Sequence, residues 1–396
     1  MSMTRDEGHS PASRPSDHWE VVPSEYIPIP ITQTLNRLDF DALEGHASRL
    51  RNGRPCKIDR NKFTFGGRNI IFEAQFDDDK IWIVRVRVFG GMKMESIFDR
   101  SLESEVASIK YIKRHTINVP VPDVYGHNSD FSNEAGSSYM FMESMAGKRL
   151  VGGGSKDFIP DEHKVKVYSQ LADIILQLSA LSFRQIGMLQ QEEDGQEKVD
   201  AIVASDGTTF GPFSSSREYY LCRAELLSQN CGPHGGQDLD PSNVDCLRYR
   251  ISHSLVNESP NGPFPLTHPD FSISNMLFDD DYNITALLDW SGVQTAPIQS
   301  FARPPVMVVP QPLKSRPKPL SKPEISRRQL FFQTFKEREA WYDPGTPITR
   351  NLISSRSIIA GILDDEAILG HDISDYKADL LAFVHGDDDF EHMIGE

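Results

Sequence analysis

The strongest constraint on the fold is the alternation of side chains over residues 81–88. The even-numbered positions are all apolar, whereas Arg85 and Arg87 share the other face with two isoleucines. A period of two is typical of a β-strand. Residues 62–76 are also rich in β-branched and aromatic side chains, and they surround a glycine pair, Gly66 and Gly67. We therefore expect a β-hairpin whose first strand contains a glycine turn or a bulge.

A helix and another strand are expected to follow this hairpin. Apolar residues recur at helical spacing across residues 101–115, prolines favour extended backbone over 118–127, and residues 138–145 form an apolar stretch typical of a strand. A long helix over 160–183 is predicted next, because a proline and two acidic residues open it. Further helices are expected over 214–229, 324–342, 348–369 and 376–396, and a small hairpin within 185–203. Strands followed by helices indicate an α+β fold.

Composition excludes several classes of partner. The chain has 396 residues, with 41 Lys and Arg against 57 Asp and Glu, for a net charge of −16. Such a surface does not displace the counterions of a nucleic acid and cannot act as a polybasic membrane anchor. No apolar run reaches the roughly 18 residues of a membrane span, and the polar N-terminus lacks a secretory apolar region. The four cysteines form no CxxC pair, so we expect reduced thiols in a cytoplasmic protein.

The chemistry-bearing residues are concentrated around a second predicted hairpin. The sequence reads HPDx4N from His268 to Asn275, and Asp289 follows fourteen residues later. Two apolar stretches between Asn275 and Asp289 flank a turn rich in Asp and Asn, which predicts paired antiparallel strands. The two ends of such a hairpin lie side by side, and Asp270 lies on the loop leading in. Three oxygen-bearing side chains therefore converge on one edge.

Phosphoryl transfer to a hydroxyl needs such a group of oxygens. One carboxylate orients the acceptor and accepts its proton, while an amide oxygen and a second carboxylate hold Mg²⁺ at the phosphates. Kinases space the catalytic Asp and the metal-binding Asn five residues apart and place a second metal-binding Asp after a hairpin. Asp270, Asn275 and Asp289 match that spacing. The alternative is that these residues cap turns as ordinary Asx residues.

Other features follow the order that a kinase requires. A cation on a strand holds the nucleotide phosphates, and an acid on the next helix holds that cation. Arg85 and Glu105 are the candidates, with Arg87 and Glu103 as competing choices. The glycine pair could bring backbone N–H groups to the phosphates. The strand over 138–145 would then be the hinge whose backbone meets adenine.

The sequence resembles the aminoglycoside phosphotransferase and choline kinase-like family of small-molecule kinases, specifically its large fungal branch. The resemblance spans roughly residues 60–303, and the block around His268 and Trp290 is its most specific part. The matching segments are WIVRV (82–86), ESEVASIKYI (103–112), NVPVPDVYG (118–126), YMFMESMAGKRL (139–150), LTHPDFSISNMLFDD (266–280) and LLDWSGVQTAPIQSFA (287–302).

The resemblance implies a two-lobed protein-kinase-like fold. A small antiparallel-sheet N-lobe would bind the nucleotide over residues 23–143, and a mainly helical C-lobe would carry catalysis and acceptor binding over 144–396. A disordered tail over 1–22 and a proline-rich insertion over 303–323 complete the expected organisation.

The resemblance also implies ATP and Mg²⁺ as cofactors. Asp270 would be the catalytic base, and Asn275 and Asp289 would be the Mg²⁺ ligands. Arg85 would stand where kinases place a strand lysine, with Glu105 as its partner. The implied nucleotide-binding residues are Gly66, Gly67, Arg85, Glu105, Glu143 and Met145.

Three departures from the kinase pattern favour a small-molecule acceptor. The glycine segment reads FTFGGRN instead of GxGxxG, Asp289 is followed by Trp-Ser instead of Phe-Gly, and no APE segment is present. In addition, HPD replaces the more usual HGD. We expect the acceptor site to be built by the helices after Asp289 and by residues 190–260.

Three functions follow as hypotheses. The first is an ATP- and Mg-dependent phosphotransferase that acts on a hydroxyl or amine of a small molecule. The second is a catalytically silent nucleotide-binding or scaffold protein with the same fold. The third is a metal hydrolase that uses His268, Asp270 and Asp289. The sequence does not name the acceptor, because fold and chemistry do not determine the substrate.

Overall fold

The computed structural model describes residues 14–19, 22–88, 92–150, 159–192, 194–204, 207–230, 241–256, 259–305, 308, 321–342, 348–352 and 355–364. These residues group into two compact units. The first takes its residues from Met1–Gly91 and Val124–Lys148, and the second takes its residues from Met92–Asp123 and Arg149–Glu396.

The first unit is built on a five-stranded antiparallel sheet. Two helices, α1 (Ile29–Arg37) and α2 (Phe40–Leu50), precede it. The strands are β1 (Cys56–Phe65), β2 (Asn69–Phe76), β3 (Ile81–Arg87), β4 (Val124–Asn128) and β5 (Tyr139–Glu143). Their order across the sheet is β1-β2-β3-β5-β4, and each neighbouring pair is antiparallel. The sequence predicted β2, β3 and β5, but it included only the last residues of β1, described the region of β4 as extended backbone, and missed both helices.

The core of the first unit combines side chains of the sheet and of α2. Val84 and Val86 of β3 are fully buried, together with Leu43 of α2. Phe40 meets Phe72 edge-to-face at a centroid distance of 5.3 Å. Because successive strand residues point to opposite faces, a slip of one residue would remove both valines from this core. The buried face therefore specifies the register of β3.

The expected disordered tail over 1–22 is wrong for its described part. Pro15–His18 form a short 3₁₀ turn. The backbone N–H of Ser16 donates to the Glu73 carboxylate (2.7 Å), and the Arg14 guanidinium lies 3.8 Å from that carboxylate. Glu73 is buried in β2, and a buried charge requires partners, which explains the ordered turn. Residues 1–13, 20 and 21 lie outside the described residues.

The second unit is mainly helical, with short strands between the helices. Its helices are α3 (Met92–His115), α4 (Asp161–Ala180), α5 (Ser216–Asn230), α6 (Pro241–Arg250), α7 (Ile298–Phe301), α8 (Lys322–Tyr342), α9 (Ile348–Leu352) and α10 (Ser355–Asp364). Its strands are β6 (Ser182–Phe183), β7 (Met188–Gln191), β8 (Glu197–Asp200), β9 (Ile202–Val203), β10 (Thr209–Phe210), β11 (Phe264–Thr267), β12 (Met276–Phe278), β13 (Ile284–Leu287) and β14 (Gln294–Thr295).

Helix α3 groups with the second unit, whereas the sequence assigned it to the lobe over 23–143. Two ion pairs join it to the β7–β8 hairpin. Arg100 donates to Asp200 (2.9 Å), and Arg114 pairs with Glu197. These contacts connect residues far apart in the sequence, so the local pattern could not reveal them.

Three elements hold the segment around Asp270. Strand β11 lies between β14 and β6 in a three-stranded sheet and leads into the loop. Strands β12 and β13 form the predicted hairpin, in which Met276 pairs with Leu287. The N–H of Leu287 also donates to the Pro120 carbonyl (2.7 Å). The hairpin is therefore attached to the segment that follows α3.

Most predicted elements of the second unit are confirmed. Helices α4, α5 and α8 and the β7–β8 hairpin match their expected ranges, and the helix expected over 348–369 corresponds to α9 and α10. The helix expected over 376–396 and most of the insertion at 303–323 lie outside the described residues. Within the described ranges, no helix combines the length and the hydropathy required to cross a membrane.

Candidate active site

Asp270 and Asn275 contact each other on the loop between β11 and β12. The Asn275 Nδ2 amide donates to the Asp270 carboxylate (2.9 Å) and to the Asp270 carbonyl (3.0 Å). The N–H of Ser272 donates to the same carbonyl (2.9 Å) and so tightens the loop. Asp270 is exposed and Asn275 is half-buried. The carboxylate is therefore oriented by a neutral donor and remains accessible to an acceptor.

His268 holds the beginning of this loop. Its Nδ1 accepts a hydrogen bond from the Asp270 N–H (3.1 Å), and its Nε2 donates to the Leu288 carbonyl (3.0 Å). These two bonds define the neutral tautomer that carries its proton on Nε2. The ring is buried and meets the Trp290 indole edge-to-face at 4.5 Å. Burial lowers the pKa of His268, although nearby carboxylates act in the opposite direction. His268 is therefore a neutral positioning residue.

Asp289 directly follows Leu288, where the hairpin ends. The N–H of Leu288 donates to the Asn275 carbonyl (2.8 Å), which joins the two ends as the strand pairing predicted. Asp289 is exposed and has a φ of 60°, in the left-handed region. The next residue, Trp290, is fully buried, and its Nε1 donates to the Leu287 carbonyl (3.0 Å). A buried anchor thus immediately follows an exposed carboxylate.

Glu105 of α3 contacts the chain just beyond Asp289. The Ser291 hydroxyl donates to Glu105 Oε2 (3.1 Å). Glu105 is fully buried, whereas Glu103, the competing choice, is half-buried. Sequence reasoning missed Ser291, because 186 residues separate it from its partner. The hydrogen bond links the helix acid to the hairpin end that carries Asp289.

Gly66 and Gly67 form the turn between β1 and β2, so of the two predicted forms the turn is correct and the bulge is wrong. The Gly66 N–H donates to the Asn69 carbonyl (2.9 Å). A Cβ atom added to either glycine would meet nothing within 4 Å, and neither glycine has a positive φ. The surroundings of the turn are open, and one of its two N–H groups already closes the hairpin.

The other nucleotide-binding candidates lie on or beside β3 and β5. Arg85 and Arg87 are both buried, so burial does not decide between them. The Nη1 of Arg87 donates to the Asn69 side chain (3.3 Å). Glu143 ends β5, and Met145 lies two residues beyond it; both are half-buried. The structure thus gathers these candidates in the first unit, whereas Glu105, Asp270, Asn275 and Asp289 belong to the second.

Asp270 lines a pocket of about 550 Å³, including its open mouth, within the second unit. The walls come from the loop after β11, from α4, from α7 and from residues 303–305. Ile175, Leu178, Phe271 and Phe301 form much of the apolar lining, and the charged groups are Asp270 and Arg303. Of the regions that the sequence analysis assigned to the acceptor site, α7 lines this pocket, and α4, which was not among them, lines it as well. Residues 190–260 do not line this pocket in the described structure.

The donor set is suited to Mg²⁺ bound together with phosphates, not to a metal held by the protein alone. Among the residues that the structure describes, no group of three or more His, Cys, Asp or Glu side chains is arranged to hold a metal ion. Both ring nitrogens of His268 are hydrogen-bonded, which argues against the metal hydrolase. Mg²⁺ typically takes one or two protein carboxylates plus phosphates and waters. Because Asn275 Nδ2 donates to Asp270, Asn275 Oδ1 and the carboxylate of Asp289 are the oxygen atoms that could hold such a cation.

Comparison with known families identifies the class of protein. The model of the phosphotransferase enzyme family matches residues 82–299, more than half of the chain. The match includes β3, the loop that carries Asp270 and the β12–β13 hairpin. The protein belongs to the phosphotransferase enzyme family, which confirms the resemblance to aminoglycoside phosphotransferases. A search of curated protein sequences finds no match.

Several solved structures are similar to this chain at low sequence identity. A fructosamine-3-kinase-like protein from Thermobifida fusca is 12% identical with a TM-score of 0.51, and the match covers 88% of this chain and 98% of that chain. A complex of APH(2″)-IIa with streptomycin and ATP is 11% identical with a TM-score of 0.49 and coverages of 88% and 97%. Macrolide 2′-phosphotransferase MphH from Brachybacterium faecium is 14% identical with a TM-score of 0.48 and coverages of 87% and 98%. The first of these confirms the predicted α+β, two-lobed protein-kinase-like fold class.

Proposed function

We propose that the protein is an ATP- and Mg-dependent phosphotransferase that moves the γ-phosphoryl group to a hydroxyl or amine of a small molecule. One observation carries this proposal. An exposed carboxylate, Asp270, is oriented by the Asn275 amide and lines a pocket in a chain of the phosphotransferase family. A carboxylate that orients an acceptor is the main protein group that this chemistry requires near the nucleophile.

Asp270 would accept the proton of the attacking hydroxyl or amine. Its carboxylate has one oxygen engaged by Asn275 Nδ2 at 2.9 Å, which leaves the other oxygen to face the acceptor. His268 would not exchange protons, since both its ring nitrogens are occupied. It would instead keep the Asp270 backbone in place. General-base assistance of this kind contributes about 10²- to 10⁴-fold to a rate.

Asn275 Oδ1 and the Asp289 carboxylate would hold Mg²⁺. When bound, the ion neutralises charge that develops between the β- and γ-phosphates. The backbone hydrogen bond from Leu288 to the Asn275 carbonyl keeps the two ligand-bearing ends adjacent (2.8 Å). Glu105 supports the same region through Ser291.

The first unit would bind the nucleotide. Arg85, buried in β3, supplies a rigid and permanently charged donor suited to phosphate. The backbone of Glu143 and Met145 would meet adenine beyond the end of β5. The turn at Gly66 and Gly67 would approach the phosphates, with the N–H of Gly67 as its donor, because the N–H of Gly66 is engaged.

One observation favours a second candidate, a catalytically silent nucleotide-binding or scaffold protein. A glycine-rich kinase loop offers several backbone N–H groups to phosphate, whereas this turn has two glycines and uses one N–H to close its hairpin. Weak nucleotide binding without turnover would follow from such a loop.

Nucleotide binding and turnover together test these two candidates. Thermal denaturation of the full chain is measured with ATP and Mg²⁺ and with ATP and a chelator, and ADP release is measured across a library of hydroxyl and amine acceptors. We expect Mg-ATP to stabilise wild type and Asp270→Asn alike, with turnover reduced about 10²- to 10⁴-fold in the variant. Asp281→Asn, at an exposed carboxylate of the β12–β13 turn, is the matched control and should retain wild-type turnover.

The outcomes separate the hypotheses. If wild type and Asp270→Asn release ADP at the same rate with every acceptor, the scaffold protein is favoured. If Mg-ATP does not stabilise wild type, the phosphotransferase proposal is rejected.

A further inference from the structure

Arg303 is the positively charged residue of the pocket that Asp270 lines. It follows Ala302, the residue that caps the C-terminus of α7, and its side chain is half-buried. His268, the other basic side chain of the lining, is neutral, because its Nδ1 accepts the Asp270 N–H; burial also lowers its pKa. The formal charges of the lining are therefore one carboxylate and one guanidinium, in a chain whose net charge is −16.

The guanidinium of Arg303 retains most of its donors for a ligand. Its Nε donates to the Ser300 carbonyl (3.1 Å), and this bond orients the guanidinium and its two terminal Nη groups. Within the part of the chain that the structure describes, no residue accepts a hydrogen bond from Nη1 or Nη2 and no carboxylate pairs with them. A guanidinium has five N–H donors and suits a carboxylate or phosphate through two parallel bonds.

Helix α10 leaves room for this side chain. A Cβ atom added to Gly361 would lie 3.0 Å from Arg303 Cδ and 3.1 Å from Nη1. Glycine inside a helix costs about 1 kcal/mol relative to alanine, yet α10 carries glycine at this position. The close approach of Arg303 is a physical reason for it, since an alanine would force the arginine to shift.

The rest of the lining does not suit a polycation. Asp270 is the acidic residue of the described lining, and the proposed chemistry already uses it. The side chains of Ile175, Leu178, Phe271 and Phe301 provide apolar contact area. A ligand with several ammonium groups would find one carboxylate and would meet the like charge of Arg303. A ligand with an apolar body and one anionic group would satisfy both the walls and the guanidinium.

We propose that the acceptor is a small hydroxylated molecule that carries an anionic oxygen group, carboxylate or phosphate, bound by Arg303. The inference rests on the proposed function for the role of Asp270, but binding of an anion to this pocket does not require transfer. Arg303 orients the acceptor through its anionic group, while the hydroxyl faces Asp270. The anionic group thus distinguishes acceptors from neutral and cationic analogues.

Probes of similar size that differ in charge test this inference. The probes are 4-hydroxyphenylacetate, 4-hydroxyphenylacetamide and tyramine, then 6-hydroxyhexanoate, its amide and 6-aminohexanol, with 4-hydroxyphenyl phosphate to compare the two anions. Dissociation constants are measured by ligand-observed NMR on the full chain, with and without Mg-ATP. Hydrogen bonds to a charged group correspond to roughly ten- to hundredfold in affinity. We expect at least one anion to bind about tenfold more tightly than its amide, and the amine to bind most weakly.

Three variants assign the preference to Arg303. Arg303→Met keeps an apolar stem and should reduce anion affinity about tenfold, to the level of the amide. Arg303→Lys should retain part of the preference, because charge remains without the fork. Arg184→Met, at an exposed arginine of the same unit, is the matched control and should change nothing. Thermal denaturation checks folding, and Gly361→Ala, which displaces the arginine without removing it, should weaken anion binding even if Arg303→Met unfolds.

Each outcome decides between the proposals. If no anion is preferred, or if Arg303→Met leaves the preference intact, the inference is overturned. If Arg303→Met lowers turnover equally for all acceptors, Arg303 acts on the transferred group and the inference is again wrong. Arg303-dependent anion binding in a protein that does not bind Mg-ATP supports the inference and rejects the phosphotransferase.

Discussion

The loop from His268 to Asn275 and the turn at Gly66 and Gly67 differ in how tightly their surroundings constrain them. In the loop, Asp270 receives hydrogen bonds at its carboxylate and its carbonyl, and its own N–H donates to His268. Around the glycine turn, an added Cβ would meet nothing within 4 Å. Hydrogen bonds within the loop determine its conformation, whereas the glycine turn has open space around it.

This difference is consistent with the proposed roles of the two segments, catalysis for the loop and nucleotide binding for the turn. Catalytic groups must be held within a fraction of an ångström of the productive geometry, and dense hydrogen bonding around Asp270 supplies that. A turn that covers phosphates must admit and release a nucleotide, for which an open and lightly held turn is suited. The comparison predicts that substitutions in the first segment change stability and that substitutions in the second change only binding.

The largest effect is expected at Trp290. Its side chain is fully buried and contacts both His268 and the Leu287 carbonyl. Trp290→Ala should therefore reduce the free energy of unfolding by about 3–5 kcal/mol, measured by urea denaturation. Trp341→Ala, at a tryptophan that is 80% exposed, should cost less than about 1 kcal/mol. Equal losses in the two variants would contradict the view that the hairpin end is anchored.

A smaller loss is expected at Asn275. Asn275→Ala removes both hydrogen bonds to Asp270 (2.9 and 3.0 Å) and leaves the carboxylate without its neutral donor. The free energy of unfolding should fall by about 1–2 kcal/mol, and ADP release should fall as well. The control is Asn118→Ala, since the Asn118 side chain is exposed and has no hydrogen bond to a described residue. Unchanged stability in Asn275→Ala would show that the Asp270 contact is not structural.

A pH-dependent effect is expected at His268. Burial lowers its pKa below the ordinary value of about 6.5, so below that pH the unfolded chain binds a proton that the folded chain resists. Well above pH 6.5 the group contributes nothing to the pH dependence, because neither state binds the proton. As the pH falls from about 7.5 to 5.5, the folded state should lose up to ~1.4 kcal/mol through this residue.

The test compares unfolding free energies between pH 7.5 and 5.5. His268→Gln should show a shallower decline than wild type, because the variant has no group to titrate. His115→Gln, at an exposed histidine of α3, should follow wild type. A decline as steep in His268→Gln as in wild type would assign the acid sensitivity elsewhere.

The smallest effect on stability is expected at the glycine turn. Gly66→Ala and Gly67→Ala should each stay within about 0.5 kcal/mol of wild type, since both sites have room and neither has a positive φ. Gly187→Ala is the contrast, because an added Cβ would collide with the Asp200 carbonyl oxygen. A weaker affinity of Gly67→Ala for Mg-ATP at unchanged stability would support the proposed phosphate contact.

Much of the fold was predictable because its signals are local. Alternation over 81–88 predicted β3, and the motif with its hairpin predicted that Asp270 and Asn275 lie near each other, although it did not predict their hydrogen bonds. Helix α2 was missed although its signal is present. Asp39 caps it by accepting a hydrogen bond from the Ala42 N–H (2.9 Å), and Phe40, Leu43 and Ala47 recur at helical spacing.

Other parts of the candidate site were not predictable from local patterns. The Ser291 contact with Glu105 joins residues 186 positions apart. Arg303 enters the pocket because α7 and α10 pack together and Gly361 leaves room. No periodicity or spacing in the sequence encodes either contact, since each depends on which distant elements become neighbours.

The backbone of Asp289 has a consequence for how this protein can evolve. With a φ of 60°, the position favours glycine, and asparagine and aspartate tolerate it better than other residues, which are strained there by about 1–2 kcal/mol. Asp289→Gly would relax the chain but would remove the carboxylate that the proposed reaction needs. Selection for thermal robustness and selection for turnover therefore act in opposite directions at this single residue. A more stable descendant with glycine at position 289 would be expected to keep the fold and lose the proposed phosphotransferase activity.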